Sequence, residues 1–333
     1  MKGRDFSIDF LRATAILLMT ITHVNALLYL GDNPILDIFT TAGATLCFSI
    51  FLFCSAYVTG LKIQKGSTFP LKDTLNRALE IYMVYVVLGI FVTFVAKGSM
   101  NFDTINNIVL LNYIPEFTEF LIAFILFSFL PLFFSKQLSY LLNKPLILIL
   151  VTILIYILGS FVYSEISKYT YPDAVRIFLE NIFGYKSLHR FPLTYYLPIY
   201  SLGIFLSRYN KRGMLITVLL ASFVIFSILS AFQLSHWYRW PPSTLFLLYG
   251  FIYIPLILLV YRQFEKFFSK GIYKVFTNMG MYPLEQFFLS TFFVFLAKAF
   301  FQPSNTEILS IIVNFVILSL LMLHPIVFYR KMV

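Results

Sequence analysis

The chain has 333 residues, of which 59% are hydrophobic and 12% charged, and its mean hydropathy is +0.84. A water-soluble domain is about 45–50% apolar and about 25% charged, so too little polar surface exists here to cover a globule in water. Composition therefore excludes a soluble enzyme, a disordered chain and a disulfide-stapled secreted module, and it points to a protein that lives in lipid. The net charge of +10 is expected to reflect basic loops on one membrane face rather than a nucleic-acid partner.

Apolar runs of about 17–25 residues can cross the hydrocarbon layer as helices. Ten are read in chain order: 7–30, 38–60, 78–97, 116–134, 145–163, 192–207, 213–233, 243–262, 281–300 and 307–329. The stretch 100–116 is partly apolar and reads as re-entrant or interfacial. The sequence DAVRIFLENIFGY (173–185) carries apolar residues at helical spacing and reads as a short interfacial helix. With the N-terminus inside and strict alternation, seventeen Lys and Arg fall on inner segments and seven on outer ones, with Arg12 inside the first span. That asymmetry favours ten spans with both termini cytoplasmic. No linker or internal repeat interrupts the pattern, so 1–333 reads as one transmembrane domain, an all-α polytopic bundle. Asp9 and Arg12 break the first apolar run, which argues against a cleavable signal peptide.

Cys47 and Cys54 lie seven apart on one helical run, two turns from each other, and read as small packing residues. No His/Cys spacing suggests zinc, and no metal is expected.

Ionisable groups inside a span are costly and usually face a cavity or a partner. In the first span Arg12 and His23 are eleven residues apart. On a straight helix that is three turns plus about 20°, or roughly 16 Å along one face. Asp9, three residues before Arg12, can pair with it. An imidazole is the side chain best suited to exchange a proton near neutral pH, so His23 is a candidate base. The alternative is a snorkelling arginine and a histidine that only bonds a neighbouring helix. In the second span Ser49, Ser55, Tyr57 and Thr59 read as close-approach residues, with no local motif to activate Ser55 as a nucleophile. Arg77, with Glu80 at i+3, opens the third span from the inner rim and suits a phosphate or carboxylate; a positive-inside anchor is the other reading. Glu116 and Glu119 enter the fourth span one turn apart. Glu119 is the deeper, a candidate partner for an imidazole or a substrate hydroxyl. His189 and Arg190 sit at the outer mouth, as do His236, Trp237, Arg239 and Trp240. Both tryptophans of the chain fall in this one short stretch. Aromatic rings beside arginine can stack on a sugar ring, and they also resemble an interfacial belt. Glu285 and Gln286 lie about a turn inside the ninth span. His324 precedes Pro325 and reads as an interface residue.

The opening IDFLR, with Arg12 and His23 in an R-x10-H spacing, resembles the acyltransferase-3 family of polytopic membrane proteins. FSIFLFCSAYVTG is similar to that family's Phe-rich second span, Ser55 matching its serine and Ala56 replacing its glycine. NRALEIYMVY resembles the basic rim of the third span, and IPEFTEFLIAFILFSFLPLF, YLPIYSLGIFL and WPPSTLFLLYG resemble later segments. NMGMYPLEQFFLS keeps Gly280 but has Ser290 where relatives carry a histidine. A weaker resemblance runs to the transmembrane glucosaminide N-acetyltransferases, through a PPS segment at 241–243 and the Met-x3-His spacing of Met19 and His23.

These resemblances imply a membrane acyltransferase that moves an acetyl or succinyl group from cytosolic acyl-CoA to a hydroxyl of a surface or exported glycan, or a lipid-linked saccharide. They imply His23 as general base with Glu119 as its candidate partner. Arg12, Arg77 and Asp9 would form the acyl-CoA site, and Arg190, Trp237, Arg239 and Trp240 would guide the acceptor. The expected location is the plasma (inner) membrane, alone or as a homo-oligomer. Competing readings are a transporter or flippase of lipid-linked sugars or organic acids, which would also need intramembrane charges, and a scaffold subunit of a glycan-export complex.

Overall fold

A computed structural model describes residues 5–185, 191–268 and 270–328. The described residues form fourteen helices and no strand: α1 (Phe6–Leu28), α2 (Pro34–Gln64), α3 (Leu71–Lys97), α4 (Phe102–Val109), α5 (Glu119–Leu142), α6 (Pro145–Ile166), α7 (Asp173–Phe183), α8 (Leu193–Tyr209), α9 (Arg212–Ala231), α10 (Thr244–Gln263), α11 (Glu265–Phe268), α12 (Gly271–Met279), α13 (Pro283–Phe300) and α14 (Glu307–Phe328).

Nine of these, α1–α3, α5, α6, α9, α10, α13 and α14, are long and apolar enough to cross a membrane. The segment expected as a span at 192–207 forms α8, a 17-residue helix. At 1.5 Å per residue it reaches only about 25 Å, short of the roughly 30 Å hydrocarbon layer. Two short helices fall where interfacial structure was expected, α4 and α7. The segment after α10, read from the sequence only as lying between two spans, folds into α11 and α12.

The chain forms a polytopic helical membrane protein. In lipid, unsatisfied backbone groups cost several kcal/mol each, and a helix satisfies them within one segment. The hydroxyls in these helices follow the same rule by bonding the carbonyl four residues back, as in Thr14 to Phe10 (2.9 Å), Thr20 to Ile16 (2.8 Å) and Thr152 to Leu148 (2.7 Å). Large apolar side chains are exposed along α3, α6, α9 and α14, among them Leu79, Leu150, Phe223 and Phe315. Contiguous faces of this kind would aggregate in water and are what acyl chains cover.

The residues divide into two compact units. The first comprises 1–51, 91–99 and 253–333; the second comprises 52–90 and 100–252. Helices α2, α3 and α10 contribute to both.

In the first unit α1 is the central element. Asp5 caps it by accepting from the Ser7 N–H at 3.0 Å. It packs against α12, α13 and α14, and sixteen of its 23 residues are buried. That explains why it carries polar groups that a lipid-facing helix would not. Close approach near its start and at its middle depends on glycine. A Cβ at Gly280, just after α12, would lie 1.8 Å from the Asp9 carbonyl oxygen, and one at Gly43 of α2 would lie 2.5 Å from that of Leu18.

In the second unit α8 packs against α5, α6 and α7, and its Tyr196, Ile199 and Tyr200 are fully buried. Thr152 of α6 and Ser201 of α8 bond at 2.8 Å, and Gly159 makes room for Thr194, which donates to the Ile182 carbonyl at 2.9 Å. Phe127 stacks on Tyr200 with ring centroids 5.2 Å apart. On α7, Arg176 bridges Asp173 (2.9 Å) and Glu180 (3.2 Å), and its hydrogen bond to Asp173 holds the guanidinium pKa above its ordinary value.

Gly280→Ala is expected to lower the thermal midpoint of the purified protein, because its methyl group must displace the α1 backbone. Overpacking of this kind costs about 1–3 kcal/mol. A midpoint equal to wild type in a detergent melt would contradict the close approach.

Candidate functional site

The expected pairing in the first turns of α1 is formed. Arg12 Nη1 lies 3.4 Å from Asp9 Oδ1, the two side chains being 18% and 3% exposed. Both charges are largely removed from water, so each offsets part of the other's desolvation, and loss of either strands its partner.

His23 is 8% exposed, on the C-terminal half of the same helix. The turn that carries it is clamped on either side. Thr22 Oγ1 donates to the Thr40 carbonyl of α2 at 3.2 Å. Asn25 uses its whole amide: Nδ2 donates to Thr40 Oγ1 (2.9 Å) and more weakly to the Leu36 carbonyl (3.4 Å). Its Oδ1 accepts from Ser310 Oγ (2.5 Å) and Asn314 Nδ2 (3.3 Å) of α14. Asn25, Ser310 and Asn314 are buried. Three helices are thus joined by side-chain bonds around one turn, which fixes the position from which the imidazole projects. Sequence reading passed over this cluster. Its sequence signal is an asparagine inside each of the first and last spans, itself anomalous in lipid. A second missed contact is on α13 and α14. Gln286 Nε2 lies 3.1 Å from His324 Nδ1, and Glu285 Oε2 lies 3.8 Å from His324 Nε2.

The remaining candidates belong to the second unit. Arg77 pairs with Glu80 at 3.0 Å as expected, but its side chain is 49% exposed, so it is a rim charge and not a buried one. Glu119 opens α5 partly buried, and its carboxyl faces the backbone N–H groups of Phe117 and of Glu119 itself. Phe117 sits at φ 65°, the left-handed region that few non-glycine residues adopt. The charges that act on Glu119 are those of Arg239 and Glu116. Arg239 lies over the face of Trp240, 4.9 Å from the ring centroid. Trp240 meets Phe191 edge-on at 4.7 Å, and Phe191 in turn packs on Tyr196 and Phe120. Arg239 also acts electrostatically on Tyr196. Glu119, expected to partner His23, thus adjoins through Phe120 and Phe191 the aromatic cluster of Trp240 and Arg239, which were expected to guide the acceptor. Trp237 stands outside it, 45% exposed and packed on Phe246 at 5.6 Å. Arg190, with His189, lies outside the described residues. Among the described residues no group of three or more His, Cys, Asp or Glu could hold a metal ion.

The described residues form a multi-pass helical membrane protein with an ion pair and a clamped imidazole on its buried first helix. The family model for the heparan-alpha-glucosaminide N-acetyltransferase catalytic region matches residues 4–216. That is more than half of the chain, and the chain belongs to this family. The match is to the weaker of the two families that the sequence resembles, and it takes in Asp9, Arg12, His23, Arg77 and Glu119. Comparison with curated proteins and with solved structures found no match.

A double-mutant cycle between Asn25→Ala and Ser310→Ala tests the clamp. The expected coupling is about 0.6–2 kcal/mol, as for interhelical hydrogen bonds in other membrane proteins, read from unfolding midpoints. Purely additive effects would mean that the two side chains are not bonded.

Proposed function

We propose that the protein is a membrane acetyltransferase that uses acetyl-CoA and a saccharide acceptor, with His23 as general base. The observation that carries this reading is a buried imidazole held on the first span inside the segment that matches the family. The family's name supports acetyl over succinyl as the transferred group, and an amino group over a hydroxyl as the acceptor atom.

The chemistry needs few groups. His23 takes the proton from the acceptor nucleophile as it adds to the thioester carbonyl. The tetrahedral adduct then collapses, the C–S bond breaks, and the imidazolium returns its proton to the departing CoA thiolate. Asp9 holds Arg12, whose remaining guanidinium donors are available to the anionic donor as charge-assisted partners. Arg77, exposed at its helix rim, adds cationic charge for the CoA phosphates. Arg190, Trp237, Arg239 and Trp240 serve the acceptor. The excess of basic residues on one set of loops supports an orientation with both termini cytosolic in the plasma membrane, and the donor drawn from the cytosol. That orientation requires α8 to count as a crossing.

His23→Ala is expected to lower acetyl-CoA-dependent transfer by at least about 10²-fold, the usual contribution of a positioned base, while the protein still inserts and accumulates. The measurement is release of CoA thiol by purified protein with acceptor present. Wild-type turnover in that variant would remove His23 from the mechanism. Arg12→Ala is expected to weaken acetyl-CoA binding about tenfold, on the scale of one lost charge-assisted hydrogen bond. Unchanged donor affinity in a calorimetric titration would remove Arg12 from the donor site.

A further inference from the structure

We propose that the segment 262–274, which leads from the end of α10 into α12, is a binding platform for anionic phospholipid headgroups on the membrane face where α10 ends. This surface is independent of acetyl transfer: it involves neither His23 nor the residues assigned to donor and acceptor.

The sequence RQFEKFFSKGIYK (262–274) carries four basic residues against one acidic, Glu265. It starts where a membrane-crossing helix stops, since α10 ends at Gln263. A basic cluster that directly follows a crossing helix lies within reach of lipid phosphates, and each Lys or Arg near an anionic surface strengthens binding about fivefold. Lys266, Lys270 and Lys274 are all exposed. Between the first and last of them, Phe267 and Tyr273 pack with ring centroids 4.2 Å apart and remain 54% and 37% exposed. That contact joins α11 to α12 across a tight turn, in which the Lys270 N–H donates to the Phe267 carbonyl at 3.2 Å and Gly271 takes φ 56°. Phe264, exposed as well, precedes the pair. Exposed rings beside lysines suit the headgroup layer, where the rings enter the acyl boundary and the ammonium groups meet phosphate.

The fold holds this surface at the depth of the headgroups. Helix α12 lies against α1 and α14, and its far end is pressed on the first turns of α1, where a Cβ at Gly280 would meet the Asp9 carbonyl. Phe10 of α1 meets Tyr261 of α10 at 5.1 Å and Phe276 of α12 at 5.6 Å. The start of one crossing helix and the end of another therefore bracket α12. Thr277, Asn278 and Met279 are buried, while Tyr273 and Lys274 at the opposite end of α12 stay exposed. Three exposed aromatic rings grouped together are a poor surface for water, and the lipid at that depth covers them.

Charge selects the lipid. A zwitterionic headgroup offsets its phosphate with its own cation, whereas phosphatidylglycerol brings a net negative charge that the excess of lysine attracts. A soluble phosphate compound matches the lysines but leaves Phe264, Phe267 and Tyr273 uncovered. On the orientation proposed above, the lipid lies in the cytosolic leaflet. Because α12 backs the Asp9 turn of α1, bound lipid also steadies the packing of these two helices.

The full-length protein, purified in a nonionic detergent, is titrated with short-chain phosphatidylglycerol or phosphatidylcholine. Native mass spectrometry reads the bound lipid, and a melt reads the linked rise in thermal midpoint. Phosphatidylglycerol is expected to bind at least about fivefold more tightly than phosphatidylcholine, with the preference shrinking as salt is raised. Lys266→Gln, Lys270→Gln and Lys274→Gln combined should lower phosphatidylglycerol affinity at least about tenfold, whereas the same three residues changed to Arg should keep it. Phe267→Ala should weaken binding about threefold with the charge unchanged. A matched variant, Lys62→Gln, Lys65→Gln and Lys72→Gln, removes as many exposed charges from the connection between α2 and α3 and should retain full affinity. No preference between the two lipids, equal losses in the two glutamine variants, or unchanged affinity in Phe267→Ala would overturn the proposal. Displacement of the lipid by coenzyme A would overturn it too, since the lysines would then serve a soluble phosphate ligand. If the triple glutamine variant fails to fold, Lys270→Gln alone, in the exposed turn, decides by a loss of about threefold or none.

Discussion

The lack of water inside a bilayer is the constraint on which the rest of this structure depends. Every polar group placed there must find its partner within the protein. The turn around His23 shows the consequence most clearly. Thr22 and Asn25 do not stabilise by being buried; their burial is tolerable because Thr40, Ser310 and Asn314 take up their hydrogen-bonding capacity. A network of this kind has few alternative arrangements, since moving one helix would orphan several groups together. The same condition that makes polar residues expensive in lipid makes them precise when they are paired.

The Asp9–Arg12 pair follows the same logic with charge. A lone guanidinium in the first turns of α1 would be drawn toward the interface. The aspartate one turn before it compensates the charge and leaves part of its donor capacity available. Arg77 stands in contrast. Its partner Glu80 is exposed as well, so that pair adds little to stability. Two arginines that look alike in the sequence therefore differ in what they can do: one is positioned, the other is accessible.

Family membership and side-chain geometry support different parts of the functional account. The match over 4–216 covers the first span and supports acetyl transfer as its chemistry. It stops before Arg239 and Trp240, so the aromatic cluster is argued from its own packing. Glu119 links the two regions. It lies inside the matched segment but takes its electrostatic environment from Arg239, beyond it.

The sequence by itself determined the fold class, the placement of nine membrane-crossing helices and the amphipathic character of α7. It also carried the Asp9–Arg12 and Arg77–Glu80 pairs, because hydropathy and i,i+3 spacing are local properties read along one helix. It counted 192–207 as a tenth span, although the 17-residue helix α8 formed there is at the margin of what crosses lipid. Only the tertiary structure decided that Asn25 meets Ser310, 285 residues away in the chain. The same holds for Glu119 sharing an environment with Arg239, and for Gly280 being pressed on the backbone of Asp9. Those contacts join residues distant in sequence, and their existence depends on which helix faces pack together. No periodicity within a single segment encodes that choice.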